Sequence, residues 1–463
     1  MNPAFSLLML CLCFQGVYSQ SPVSYTLYHT TASPKIAIHI DIDPIPADAA
    51  RLIIPRSAPG TYSLTDYLPF VDQVRGLTAA GGVLEGAPGD GSYFSFSGKD
   101  QQITGIRYEV DVRLMEERLL DGSSSSKMRN NYLGILGYSV FGYIAGQEDR
   151  PIALTIETQA GWPIFSTLRP AVERHSGRES YRAGSYALLA DAQFMLGPGV
   201  EVAEVTGAPI PLYAAVYAER AVEDLEAIGK KAETALRGLS EYFGYIPMPH
   251  YTLCFEYLVP MTGKHQYGFS MEHLNSMTAS RNASDTLAAA VPLPGIVHHM
   301  GHSWIPLRCY GAGYRPFEWQ IAPTIETIWL NEGFIWYIAY YSVLKRPQIL
   351  DVFRQHLAAA PDFITQQSLR ELSRLGSTQY SLDFRIGKNL FSRGALLAHD
   401  LDVHIQRETQ GRKSFKDAVL GLLEWTATHQ RAFGYDDIEP ILSAAVGVPL
   451  KGVWEAWQGP VKK

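Results

Sequence analysis

The sequence predicts an α+β multidomain protein: a β-sandwich-like N-terminal domain, a mixed α/β middle and a helical C-terminal domain. Three observations carry this. The chain has 463 residues, more than one hydrophobic core holds, so two or three domains are expected. Its first part alternates apolar and polar residues with the period of half-buried strands. Its last part, after Pro347, follows helical spacing almost to the end.

The chain opens with Phe5 to Phe14 (FSLLMLCLCF), a short apolar run followed by Gly16-Val17-Tyr18-Ser19-Gln20. Its length and the small residue before the cut match a signal peptide over residues 1–20, although no Lys or Arg precedes it. Export is therefore expected, to a secreted or periplasmic location. Cys11 and Cys13 offer a lipoprotein alternative, in a context that suits a lipobox poorly. No later apolar run reaches about 18 residues, so no membrane span is expected beyond the signal. After cleavage Cys254 and Cys309 remain, either as a disulfide or as two buried thiols. Asn282-Ala283-Ser284 is a glycosylation sequon, relevant in a eukaryotic secretory route.

Residues 21–205 read as the β domain. Lys35 to Asp43 (KIAIHIDID) puts Ile36, Ile38, Ile40 and Ile42 on one face, and Ile106 to Val112 and Ile152 to Thr158 behave alike. Ala58-Pro59-Gly60-Thr61 punctuates them. Residues 206–345 form the second unit, with a helix expected from Ala218 to Tyr242, a strand at Tyr251 to Leu258, and helices around Ile296 to Trp304 and Thr324 to Leu344. Residues 346–463 form the helical unit. Hydrophobic residues make up 46% and charged residues 18%, a globular mix. The formal net charge of −7 and the lack of a dense basic run argue against nucleic acid as a partner.

The chemistry concentrates in His298-His299-Met300-Gly301-His302. Histidines at i and i+4 share one face of a helix, so His298 and His302 can place two imidazole nitrogens on one ion. Zinc takes a third protein ligand and keeps an open position. Glu332, in Trp329-Leu330-Asn331-Glu332-Gly333-Phe334, is the candidate. A lone His-x-x-x-His is more often an ordinary pair of histidines. The helical, aromatic stretch around Glu332, thirty positions after His302, shifts the balance.

In this context the sequence resembles the glycyl aminopeptidase family of zinc metallopeptidases, within the gluzincins, over nearly all of the mature chain. Pro55 to Tyr62 looks like its P-x-x-x-P-G-x-Y signature. Gly161-Trp162-Pro163 and Leu188 to Gly197 also match. Tyr267-Gly268-Phe269-Ser270-Met271-Glu272-His273 resembles its G-G-L-E-H motif, and Gly394-Ala395-Leu396, Leu401-Asp402 and Lys413-Ser414 its C-terminal helical part. The resemblance implies a thermolysin-like zinc domain over 206–345, zinc at His298, His302 and Glu332, and a peptide or protein ligand. Gly268 and Glu272 would bind it, with Glu272 facing its amino end. His265 and His273 read as structural, and the aromatic run from Trp329 to Tyr341 as helix core.

The departures weigh as much. The family's H-E-x-x-H has His299 at the glutamate that takes the proton from the attacking water and passes it to the leaving amine. Its Y-x-K-G tyrosine, an oxyanion donor, is matched by Phe391 in Phe391-Ser392-Arg393-Gly394. A general base contributes about 10²–10⁴-fold, and one oxyanion donor about 10²–10³-fold. His299 is the one candidate base left at its position, but imidazole differs from carboxylate in reach, and a nearby zinc ion disfavours its protonated form. It can equally turn away or join the coordination shell. Tyr380, Lys388 and Arg393 are alternative donors that the sequence does not place. Two readings follow: a metallopeptidase with impaired or lost catalysis, or a non-catalytic zinc- and peptide-binding pseudopeptidase.

Overall fold

The computed structural model describes residues 21–120, 124–159, 161–220, 224–268, 270–283 and 290–461. The expected signal peptide, Phe269 and Ser284 of the sequon lie outside the described residues.

The N-terminal half is rich in sheet. Ten strands form one sheet in the order Tyr143–Ile144, Arg51–Ile53, Tyr93–Phe96, Val83–Pro88, Val71–Thr78, Gln102–Asp111, Lys35–Pro46, Val23–His29, Ile152–Thr158 and Arg178–Ala183. Four more, Ile164–Ser166, Gln193–Leu196, Tyr132–Leu136 and Lys127–Arg129, form a second. The alternation in Lys35–Pro46 works as read: Ile36, Ile38, Ile40 and Ile42 are all buried. They share one apolar core with Leu133 and Phe194 from the second sheet.

The third sheet has the order Val200–Glu204, Leu212–Ala218, Tyr251–Leu258, Ser276–Asn282 and Ser270–His273. Its three middle strands run parallel. Parallel neighbours need a crossover, and the helix Leu225–Phe243 supplies the one between Leu212–Ala218 and Tyr251–Leu258. The helix expected from Ala218 thus begins later. Ala218 closes a strand, and Asp224 caps the helix by accepting from the Ala227 N–H at 2.7 Å. The edge strand Ser270–His273 carries Glu272.

The remaining chain is helical. The histidine helix, Leu293–Gly301, ends at His302 as its C-cap. The glutamate helix, Ile328–Tyr337, is buried along nearly all its length, because neighbours cover it on every side. The long helix Phe384–Glu408 crosses it where Gly333 meets Gly394. A Cβ on Gly394 would stand 1.9 Å from the Trp329 carbonyl oxygen, and one on Gly333 would stand 2.5 Å from Gly394 Cα. Only two glycines let the backbones approach this closely. Gly394→Ala is expected to cost about 3 kcal/mol through overpacking, read as a lower urea midpoint with unchanged slope. An unchanged midpoint would show that the crossing can relax.

Arg393, beside that glycine, is buried. It donates to the carbonyls of Gln367, Trp457 and Gly459, latching the terminal helix Lys451–Gln458 to the long one. Cys254 and Cys309 are both buried free thiols. Among the described residues no helix is long and apolar enough to cross a membrane.

Candidate metal centre

His298 and His302 lie in and just beyond the last turn of the histidine helix, where the helix dipole favours positive charge. Their Nε2 atoms stand 3.0 Å apart. Glu332 Oε2 lies 3.2 Å from His298 Nε2 and 3.5 Å from His302 Nε2. A tetrahedral zinc with ligands at about 2.0–2.1 Å requires ligand atoms about 3.3 Å apart. The triangle therefore fits zinc. The outer contacts fit as well. His302 Nδ1 donates to the Ile305 carbonyl at 2.9 Å, which leaves Nε2 to face inward. The His298 ring stacks on Trp336 with centroids 3.9 Å apart and 13° between planes. Trp336 sits one turn beyond Glu332, so the glutamate helix supplies both a ligand and the wall that holds another. That corrects the reading of the aromatic run as core alone.

The electrostatics point the same way. Burial, then the charge of His302, push His298 down to about 3. Burial also pulls His302 down, but Glu272 and Glu332 outweigh it and hold His302 up at about 9. Glu332 is buried, which opposes its charge, yet His302 and His298 keep it well below the usual carboxylate range. With no ion bound, the carboxylates thus keep a proton on His302 while His298 stays neutral.

Glu272 and His299 flank the triangle. His299 Nδ1 lies 3.7 Å from Glu272 Oε2. A ligand nitrogen of His299 comes within 4.8 Å of those of His298 and His302, and the carboxylate of Glu272 within 4.8 Å of His302 and Glu332. Glu272 Oε1, His299 Nδ1 and the Tyr314 hydroxyl are buried, and no hydrogen-bond partner reaches them among the described residues. Buried polar atoms are normally satisfied, so unmet groups beside a cation triangle suit a polar ligand. A buried carboxylate that serves structure alone is hydrogen-bonded. The unmet Oε1 of Glu272 speaks against that role.

The β domain reaches into the same place. Gly60, at φ +86°, packs so tightly on Glu272 that a Cβ would lie 2.5 Å from Oε1. Two residues on, Tyr62 takes a left-handed backbone (φ 42°), rare for a bulky residue. Its hydroxyl accepts from Asn331 Nδ2 at 3.2 Å, next to Glu332. Tyr380 packs against Tyr62 with centroids 5.3 Å apart. The sequence quoted Tyr62 within a motif but gave it no role, and missed Tyr314 altogether. The Pro-Gly turn and its match to the family signature were the available signal for Tyr62, and nothing local marks Tyr314.

Of the sequence candidates, His298, His299, His302, Glu332 and Glu272 come together. Phe391 lies one ring out, 5.9 Å from Trp336 and packed on Phe353, His356 and Phe384. Gly268 is exposed at the approach to the edge strand, its carbonyl accepting from Arg281, and no contact joins it to the cluster. His265 bonds the Glu116 carbonyl at 2.8 Å, and His273 faces Asp191 at 3.2 Å.

Residues 25–198 match the Peptidase M61 N-terminal domain family. No curated protein matches the chain by sequence. Among solved structures the chain is similar to an aminopeptidase N family protein from Idiomarina loihiensis, with a TM-score of 0.80 at 17% identity over 95% of this chain and 76% of that one. It is also similar to an M1 zinc metallopeptidase mutant from Deinococcus radiodurans bound to a Tyr-Ser-Ala substrate. That match has a TM-score of 0.55 at 12% identity, over 96% of this chain and 95% of that one. Yeast LTA4 hydrolase in complex with bestatin gives a TM-score of 0.55 at 12% identity, over 96% of this chain and 68% of that one. Mixed α+β architecture, with sheets first and helices last, is common to all of them and to this chain. The fold is that of an aminopeptidase-like metallopeptidase. The match of residues 25–198 to the Peptidase M61 N-terminal domain family and the fold of the chain agree with the glycyl aminopeptidase motifs of the sequence.

Proposed function

We propose that the chain is an exported zinc metallopeptidase-family protein that holds zinc at His298, His302 and Glu332 and receives the amino end of a peptide against Glu272. Hydrolysis is impaired or lost, because His299 stands at the base position and Phe391 at the oxyanion donor's. Gly268 lies along the peptide's approach. The working units are 21–205, 206–345 and 346–463, after a signal peptide over 1–20. The observation that carries the reading is the ligand triangle of 3.0, 3.2 and 3.5 Å. Bound zinc would polarise a peptide carbonyl and make water a stronger acid. The chain's own groups would do the rest: Glu272 with its unmet oxygen holds a protonated amine, and the buried walls exclude solvent.

A second reading, a pseudopeptidase that binds without cutting, is favoured by the placement of His299. Its Nδ1 faces Glu272, so one histidine nitrogen is turned toward the amine side. The deciding experiment is hydrolysis of short peptides with small N-terminal residues by the zinc-loaded chain, with a chelator and His298→Ala as controls. Stoichiometric zinc with slow, chelator-sensitive turnover is expected. Zinc and peptide binding with no turnover selects the pseudopeptidase. Absence of stoichiometric zinc overturns both readings.

A further inference from the structure

We propose that the hydroxyl of Tyr380 is the oxyanion donor that Phe391 cannot be. The inference rests on the peptide-site reading above and concerns a different position from the family's motif tyrosine.

The geometry starts at Gly387, one helical turn before Phe391 on the same face of the long helix. A Cβ there would lie 2.9 Å from Tyr380 Cζ. The Tyr380 ring thus lies across the bare backbone of that turn. Phe384 packs on both rings, with centroids 5.7 Å from Tyr380 and 6.2 Å from Phe391. Tyr380 and Phe391 therefore belong to one cluster of rings beside the site, and only one of them carries a hydroxyl.

The far side of Tyr380 is held by the β domain. Its ring meets Tyr62, which is bonded to Asn331 beside the ligand Glu332. The next residue, Ser381, donates to the Thr61 carbonyl at 3.0 Å. The ring is thus clamped between the 59–62 loop and Gly387 and has little freedom to leave. Tyr380 is buried, and burial followed by the charges of Glu332 and then Glu272 raises its pKa well above the ordinary value. It remains a protonated donor, and its strongest charged neighbour is the metal ligand.

The other hydroxyls and cations fit less well. Tyr62 lies on the β-domain side of Tyr380, with its hydroxyl oxygen held by Asn331. Tyr314 comes from the loop after the histidine helix and is not part of the ring cluster of Tyr380, Phe384 and Phe391. Lys388 lies over Phe384, 5.8 Å from the ring centroid, and Arg393 is spent on the C-terminal latch. A tyrosine donor is effective when it is fixed before charge develops on the carbonyl oxygen.

The test measures binding of two probes to the zinc-loaded full chain by calorimetry: a phosphinic pseudodipeptide, which mimics the tetrahedral adduct, and the matching dipeptide amide. Tyr380→Phe is expected to weaken the phosphinate about 10–100-fold and leave the amide and the zinc content unchanged. Tyr380→Phe combined with Phe391→Tyr returns a hydroxyl to the same wall and is expected to recover most of the loss. Equal phosphinate affinity in the wild type and Tyr380→Phe overturns the inference while leaving the peptide site standing. Parallel loss for both probes also overturns it, since Tyr380 would then only shape the cleft. Failure of the wild type to bind either probe overturns the peptide-site reading itself, and this inference with it.

Discussion

His299→Glu is expected to raise peptide hydrolysis by about 10²–10⁴-fold over the wild type, the usual contribution of a placed general base. Under the proposed function His298, His302 and Glu332 hold the metal, Glu272 the amine and Tyr380 the oxyanion, so the base is the one element to restore. The substitution carries a cost. His299 Nδ1 now lies 3.7 Å from Glu272, and a second carboxylate there repels the first. Bound metal and a protonated peptide amine would offset that repulsion, so the gain belongs to the zinc-loaded chain with a free-amine substrate. His299→Gln is the control, because it has a similar shape and no base, and it should show no gain. Background turnover in His299→Glu, with zinc content and peptide affinity intact, would sink the claim that the base alone is lacking. Equal gains in the Glu and Gln variants would mean that the imidazole merely obstructs the site.

The parts that sequence could reach are those whose logic is local. The isoleucines of Lys35–Pro46 follow the pleat, and His298 and His302 follow the helix, so each is written within one element. Glu332 is harder, yet it sits in an apolar helix where a buried carboxylate needs a reason. Tyr62 and Tyr314 escaped for the opposite cause, and for the same cause Tyr380 was offered as a donor without a place. They come from a turn of the β domain, a loop after the histidine helix and the end of a short C-terminal helix, and they meet only because three layers close on one point. The start of the helix at Leu225 was missed because helical spacing runs on from Ala218 in the sequence, while parallel pairing with Tyr251–Leu258 claims Leu212–Ala218 for the sheet. Arg393 shows the converse. The sequence offered it as an alternative donor without placing it, and its side chain is used on three carbonyls.

Glu332→Ala is expected to abolish stoichiometric zinc while leaving the fold in place. Three ligand atoms at mutual distances of 3.0–3.5 Å define the site. Removing one leaves two neutral imidazoles and takes the only negative charge out of the triangle. The affinity for zinc should fall by more than the roughly 10–100-fold that a lost supporting contact costs. The helix itself should persist, because its position is set by the Gly333–Gly394 crossing and not by the carboxylate. Circular dichroism should therefore match the wild type, and metal analysis after dialysis should not. Retention of one zinc per chain by Glu332→Ala would move the third ligand elsewhere, with Glu272 and His299 the groups close enough to take it. Loss of the fold along with the metal would mean instead that the ion ties the histidine helix to the glutamate helix. In that case the glycine crossing, which fixes the glutamate helix to the long helix, does not keep the histidine helix in place.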